Sequence, residues 1–202
     1  MERTATTNML IEPVTLEGRW VRLEPLTADH AEPLADVGLE PRLWRWIPTP
    51  VATRGEMHGY VETALDERKR GVSVPFAIVD KATGWPIGST RYANIEPVHR
   101  RLEIGWTWLA VSHQRTPANT EAKLLLLGHA FDVLKANRVE LKTDALNEQS
   151  RSAILRLGAV QEGIFRKHVV CASGRIRDTV YFSILDNEWP SVKTTLRARL
   201  DQ

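Results

Sequence analysis

The segment from His113 to Thr120 (HQRTPANT) is a polar turn set directly before an apolar run, EAKLLLLGHAFDVLKANR at 121–138. A turn that opens a helix presents unpaired N–H groups and the positive end of the helix dipole, which together can receive a pyrophosphate. Gln114, Arg115, Thr116, Asn119 and Thr120 can all donate to phosphate oxygens, Arg115 with a charge. A helix that is simply capped looks the same, so the turn alone does not define a site. Asn147 and Ser150 stand three residues apart, the spacing of a helix cap. Cys171 has His168 three residues before it. On a strand that spacing points the two side chains to opposite faces, which disfavours a Cys–His nucleophile.

These groups must be held by a sheet and at least two helices. Alternation over 16–26 predicts a first strand. Thr27 can cap a helix reaching about Leu39, with Pro33 as a possible break. Pro41, Pro48 and Pro50 punctuate a loop carrying Trp44, Trp46 and Ile47. Thr53 and Glu56 have capping-box spacing, and Gly71 closes the helix they start. Strands are predicted at 74–80 and 85–95 across the turn 80–84, and a third alternates through Glu103, Gly105 and Thr107. The pattern then becomes helix (121–136), strand (138–145), a short helix from Asn147 to Gly158, a hairpin (160–172 and 175–186) and a polar helix (190–200). The order β-α-α-β-β-β-α-β-α-β-β-α predicts an α/β (α+β) chain. Antiparallel hairpins would flank a parallel central pair joined by the 121–136 helix.

The chain of 202 residues is 43% hydrophobic and 26% charged, the balance of one globular domain spanning 1–202, with 1–15 as an arm or edge segment. Lys and Arg total 27 against 25 Asp and Glu, a net charge of +2 without a dense basic patch, which argues against nucleic acid and a charged membrane surface. A single cysteine excludes an internal disulfide framework and a cysteine metal cluster, and no metal is expected. No run of about 18 apolar residues is present, and the N-terminus lacks a signal-peptide core; the expected location is the cytoplasm.

From Leu102 to Trp189 the blocks LEIGWTWL, HQRTPANT, EAKLLLLGHAFDVLKANR, VELKTDA, NEQS, RLGAVQEGIFR and RDTVYFSILDNEW follow in order. This succession resembles the acyl-coenzyme A-binding half of GNAT-type N-acetyltransferases, in the RimJ/RimL-like branch that acetylates protein N-termini. The resemblance implies a GNAT fold: a mixed, mostly antiparallel sheet with a splayed parallel central pair, flanked by helices. It also implies acetyl-CoA as cofactor. The family turn reads Q/R-x-x-G-x-G/A. Gln114 fits it, while Pro117 and Asn119 replace the two small residues. Pro117 has no N–H to give, so side-chain donors (Arg115, Thr116, Asn119, Thr120) are expected to replace some backbone ones.

By the same resemblance, Asn147 contacts the pantetheine arm and Ser150 lies near the thioester sulfur, where it can protonate the leaving thiolate. Ala159 stands in place of the family's usual Phe. The strand matching 102–111 places Trp108, Leu109 and Val111 for main-chain contacts with the cofactor. Glu103 occupies a position where several GNAT enzymes carry a carboxylate base; a strand glutamate paired with Arg91, Arg100 or Arg101 is the alternative. His113 and Asp144 are lesser candidates, and His129 reads as a core histidine. Trp44, Trp46, Tyr92 and Trp106 are the expected acceptor-binding residues. Three activities remain open: acetylation of a protein or peptide N-terminal α-amine, acetylation of a small amine, or acyl-CoA binding without catalysis. Homodimers are common in the branch.

Overall fold

The computed structural model describes Met9 and residues 11–202. The arm expected at 1–15 therefore falls largely outside the described residues. Eight strands form one sheet in the order β1-β2-β3-β4-β5-β6-β8-β7. They are β1 (Leu16–Glu17), β2 (Val21–Pro25), β3 (Ser73–Asp80), β4 (Pro86–Glu96), β5 (Arg101–Leu109), β6 (Arg138–Asp144), β7 (Val160–Val170) and β8 (Ile176–Leu185). Each neighbouring pair is antiparallel except β5 and β6. The helices are α1 (Ala31–Gly38), α2 (Pro41–Trp44), α3 (Arg54–Lys69), α4 (Pro117–Gly128), α5 (Glu148–Leu157) and α6 (Trp189–Leu200).

Alternation along the strands sorts the core onto two faces. Phe76, Ile78, Leu102, Ile104 and Val139 pack on one face with Leu126 of α4 and Val192 of α6. Ala77, Val79 and Trp108 pack on the other with Leu34 of α1 and Met57 and Val61 of α3. β3 is buried along nearly its whole length because helices cover both of its sides. The expected capping box starts α3: Thr53 accepts from the Glu56 N–H, and Glu56 accepts from the Thr53 N–H.

Three elements depart from expectation. The strand expected at 16–26 is two strands around a turn. The Glu121 carboxylate of α4 accepts the N–H groups of Arg19, Trp20 and Val21 at 2.6, 2.7 and 2.8 Å, which bends the chain there. Gly18 allows this approach, since a Cβ on it would lie 2.3 Å from the Glu121 carboxyl carbon. The segment after Thr27 is a 3-10 turn at Ala28–His30 followed by α1, and Pro33 sits in the first turn of α1, where its missing N–H costs little. Finally, α4 starts at Pro117 rather than 121. Proline suits the first helical position, and the Thr116 hydroxyl accepts from the Ala118 N–H to cap the end. The last turn of this helix, His129–Val133, is a π-turn.

Candidate active site at the divergence of β5 and β6

The parallel strands pair over three residues only: Arg101 with Arg138, Leu102 with Val139 and Glu103 with Glu140. Beyond that point β5 continues against β4 as far as Leu109, and β6 continues against β8 as far as Asp144. The facing edges of 104–109 and 141–144 therefore diverge. They carry main-chain N–H and C=O groups that need a partner outside the sheet. Both helices that follow these strands begin at this open end. α4 follows β5 through residues 110–116, and α5 follows β6 through residues 145–147. Two helix N-termini at the carboxyl ends of parallel strands form a setting suited to a phosphate-bearing ligand.

The turn before α4 has few backbone donors of its own. Pro117 supplies none, and that of Ala118 is taken by Thr116. Gln114 turns its amide back to the Leu109 carbonyl at 3.2 Å. Arg115 adopts a left-handed backbone (φ 62°) and its side chain is exposed. The N–H groups of Arg115 and Thr116 have no protein acceptor among the described residues. Asn119 and Thr120, half-buried in the first turn, complete the donor set. At α5, Asn147 Oδ1 accepts the Ser150 N–H at 3.1 Å, so the capping role holds and Nδ2 remains as a donor. The Ser150 side chain is half-buried, and its hydroxyl has no protein partner among the described residues. These residues fit the pyrophosphate and pantetheine of acetyl-CoA: donors at the mouth, free strand edges within.

β5 carries a bulge. Two steps on β4, Ser89 to Arg91, face three steps on β5, Trp108 to Gly105. Trp106 takes a left-handed conformation (φ 49°), which is uncommon for an aromatic residue. The extra residue turns both Trp106 and Trp108 toward the α3 side. Trp106 lies 5.4 Å from the Arg91 guanidinium, while Thr107 faces α4.

Glu103 is 4% exposed on the α3 side of the sheet. Its Oε2 receives Lys142 of β6 at 2.6 Å and the Asn94 amide of β4. Its Oε1 is without a partner among the described residues and lies over Gly105, where a Cβ would come within 2.8 Å. Neither Arg91, Arg100 nor Arg101 is the ion partner; Arg91 pairs with Glu67 and Arg101 with Glu96 and Glu140. Burial works against the Lys142 ammonium, yet its charge pairing and hydrogen bond with Glu103 outweigh that, and its pKa is raised. A cavity of about 600 Å³ opens beside these groups, lined by Asn94, Arg101, Glu140, Lys142, Phe165 and Tyr181 among others.

Two expected acceptor residues face this side and two do not. Trp106 is 39% exposed, and Trp46 is half-buried with the Arg175 guanidinium 5.6 Å above its ring. Trp44 lies in the core, its indole N–H donating to the Gly38 carbonyl at 2.6 Å, with Tyr60 and Trp108 against its ring. Tyr92 is fully buried on the α4 side, its hydroxyl donating to the Leu126 carbonyl at 2.6 Å. Trp44 and Tyr92 are thus removed from the acceptor set. His168 packs on Phe165 and Tyr181, while the Cys171 sulfur is 3.8 Å from Arg175, so the two form no pair. His129 stacks on Tyr92 at 5.9 Å, and burial lowers its pKa. Asp144 is held by Arg175 and caps the Leu146 N–H.

Sequence reasoning missed Lys142, Asn94, Arg175 and Arg177. Lys142 left a trace as the one basic residue in VELKTDA, but its partner depends on the parallel register. The arginines reach the site only through the β7–β8 hairpin. The Ala172 N–H donates to the Pro48 carbonyl at 2.9 Å, and Arg177 reaches the Trp46 carbonyl at 3.4 Å, which ties the hairpin turn to the loop after α2.

A parallel strand pair that parts beside a buried carboxylate, with a helix end behind each strand, is the arrangement that the GNAT resemblance implies. The model of the acetyltransferase (GNAT) domain matches residues 21–160, more than half of the sequence, and the chain belongs to that family. A GCN5-related N-acetyltransferase from Brucella melitensis superposes with a TM-score of 0.85 at 39% identity, covering 93% of this chain and 86% of that one. The YdaF protein of Bacillus subtilis (strain 168) is 35% identical over 100 residues, which span 50% of this chain and about half, 54%, of its own length. The ribosomal-protein-serine acetyltransferase of Escherichia coli (strain K12) is 24% identical over 173 residues, covering 83% of this chain and 94% of that enzyme.

Proposed function

We propose that this chain transfers acetyl from acetyl-CoA directly to a primary amine, and that the amine is the N-terminal α-amine of a protein or peptide. The observation that carries this reading is the divergence of β5 and β6 after Glu103, with the N-termini of α4 and α5 at its open end. Acetyl-CoA supplies the activated acyl group. Arg115, Thr116, Asn119 and Thr120 hold its phosphates, together with the free N–H groups of the turn. Asn147 positions the pantetheine arm through Nδ2, and the edges of Trp108 and Leu109, with Val111 beyond them, offer main-chain contacts. Gln114 holds the end of β5 rather than a phosphate.

The amine must arrive neutral and in line with the acyl carbon. Glu103 Oε1 is the acceptor for its proton, directly or through one water. Oε2 stays fixed by Lys142 and Asn94, so the carboxylate does not need to reorient. Ser150 gives the leaving thiolate its proton. No acyl-enzyme is required, since no paired nucleophile borders the gap among the described residues. The acceptor enters between Trp46 and Trp106 on the α3 side. A protein acceptor is favoured by the likeness to a ribosomal-protein acetyltransferase over most of both chains.

Calorimetry with acetyl-CoA should give saturable binding; absence of binding at millimolar ligand refutes the reading. Turnover is then compared on a library of N-terminal peptides and on a panel of amino acids and other small amines. Acetylation confined to the small amines refutes the protein-acceptor half.

A further inference from the structure

Lys123 lies on α4 and is only 6% exposed. Buried ammonium groups ordinarily sit beside a carboxylate. Among the described residues Lys123 makes no ion pair; its Nζ donates to the Thr107 hydroxyl at 2.7 Å. The nearest carboxylate along the helix, Glu121, is committed to the turn between β1 and β2. Burial pushes the Lys123 pKa down to about 7, with no charged neighbour contributing. A methionine would fill much the same space without desolvating an amine. Stability alone gives no reason for a lysine here.

Its hydrogen bonds lead to the bulge of β5. With Lys123 donating to Thr107, the Thr107 hydroxyl donates to Thr90 Oγ1 at 2.7 Å, and the Thr90 hydroxyl points on to the Gly105 carbonyl at 3.5 Å. The chain of groups thus grips the bulge on both sides of Trp106, the residue in the left-handed conformation. The same stretch of β5 borders the gap that opens after Glu103. We propose that Lys123 is a positioning residue: acting through Thr107 and Thr90, it holds the β5 bulge in the shape that aims Trp106 at the acceptor side and fixes the main chain bordering the thioester. The catalytic half of this statement rests on the acetyl-transfer reading above; the structural half does not. Main-chain donors stabilise a developing oxyanion only if they are fixed before the reaction, so a loosened bulge would slow the chemical step more than it weakens cofactor binding.

The test uses Lys123→Met, Thr107→Val and the double variant in the full chain, with three readouts. Hydrogen exchange over 104–109 needs no substrate; each variant should exchange about 10-fold faster there, with the rest of the sheet unchanged. Steady-state kinetics should show kcat falling about 10-fold or more while KM for acetyl-CoA moves less than about 3-fold. The double variant should be no worse than either single one, as expected of groups acting in one network. Thermal unfolding should show Lys123→Met at least as stable as the parent, a result that a purely structural role would reverse. Unchanged exchange over 104–109 overturns the proposal whether or not the enzyme is active. So does unchanged kcat in an active enzyme, and so does a lowered midpoint with faster exchange throughout. A parent protein that binds no acetyl-CoA refutes the acetyl-transfer reading instead, and the exchange data then decide the role of Lys123 in the bulge.

Discussion

Replacing Glu121 by glutamine should cost the fold about 2–4 kcal/mol. The carboxylate is 5% exposed and joins positions about a hundred residues apart in sequence, accepting from Arg19, Trp20 and Val21. Hydrogen bonds to a charged group contribute roughly 1.5–3 kcal/mol each. An amide keeps one oxygen, which can still serve two donors. Its NH2 must face the remaining N–H, donor against donor, which leaves a peptide group unsatisfied at a further roughly 1–3 kcal/mol. Part-exposure of Arg19 and Trp20 lets water recover some of this. Urea unfolding followed by tryptophan fluorescence measures the loss as a shift in midpoint at constant slope. A loss below about 1 kcal/mol would mean that the β1–β2 turn holds its shape without the carboxylate, and the reasoning would fail.

Three further outcomes are expected. Glu103→Gln should lower kcat by about 10²–10³ while leaving acetyl-CoA affinity within about 2-fold, and a pH–rate profile identical to the parent removes Glu103 from the base role. Asn119→Ala should weaken acetyl-CoA binding about 5-fold by calorimetry, the value of one hydrogen bond; unaltered affinity shows that side chains do not replace the missing backbone donors of the turn. Folding lowers the Lys123 pKa from 10.5 to about 7, so between those values the unfolded chain binds more protons than the folded one. Stability contributed at this site therefore rises with pH across that window, and Lys123→Met should abolish the rise; parallel curves for the two proteins would show that Lys123 titrates normally.

Most of the sheet was legible because its strands alternate and its helices announce their ends. Thr53 with Glu56, Asn147 and Gly158 mark boundaries that the structure keeps. The RimJ/RimL-like resemblance added what periodicity lacks, the splay of the parallel pair. The side-chain environment was much less legible. Trp44 and Trp46 are two residues apart, and a helical turn separates such neighbours by about 200°, so one enters the core as the other faces out. Their sequence neighbourhood does not say which. Tyr92 looks like any strand tyrosine until α4 brings the Leu126 carbonyl to its hydroxyl. The bulge at Trp106 inverts the faces of everything after it in β5, and strict alternation carries no sign of it. Glu121 and Lys123 read as the polar side of a helix, yet both are buried, because the carboxylate caps a distant turn and the amine meets the bulge.

The charges around Glu103 bear on which form of the amine reacts. Lys142 touches the carboxylate. Arg177 is buried on β8 between Thr179 and the Trp46 carbonyl, and Arg175 lies over Trp46. Burial lowers the Arg177 pKa, an effect that the acids Asp144 and Glu103 partly oppose. An amine that reaches Oε1 of Glu103 thus meets a carboxylate already paired with Lys142, with the Arg177 guanidinium within electrostatic reach. Lys142 and desolvation disfavour the ammonium form there, whereas the Glu103 carboxylate favours it. The neutral amine is the only form with a lone pair for attack on a thioester. In the proposed reaction, Glu103 takes the proton that the amine loses as it attacks. A carboxylate anchored on one oxygen and free on the other suits that task, and Gly105 supplies the room for it.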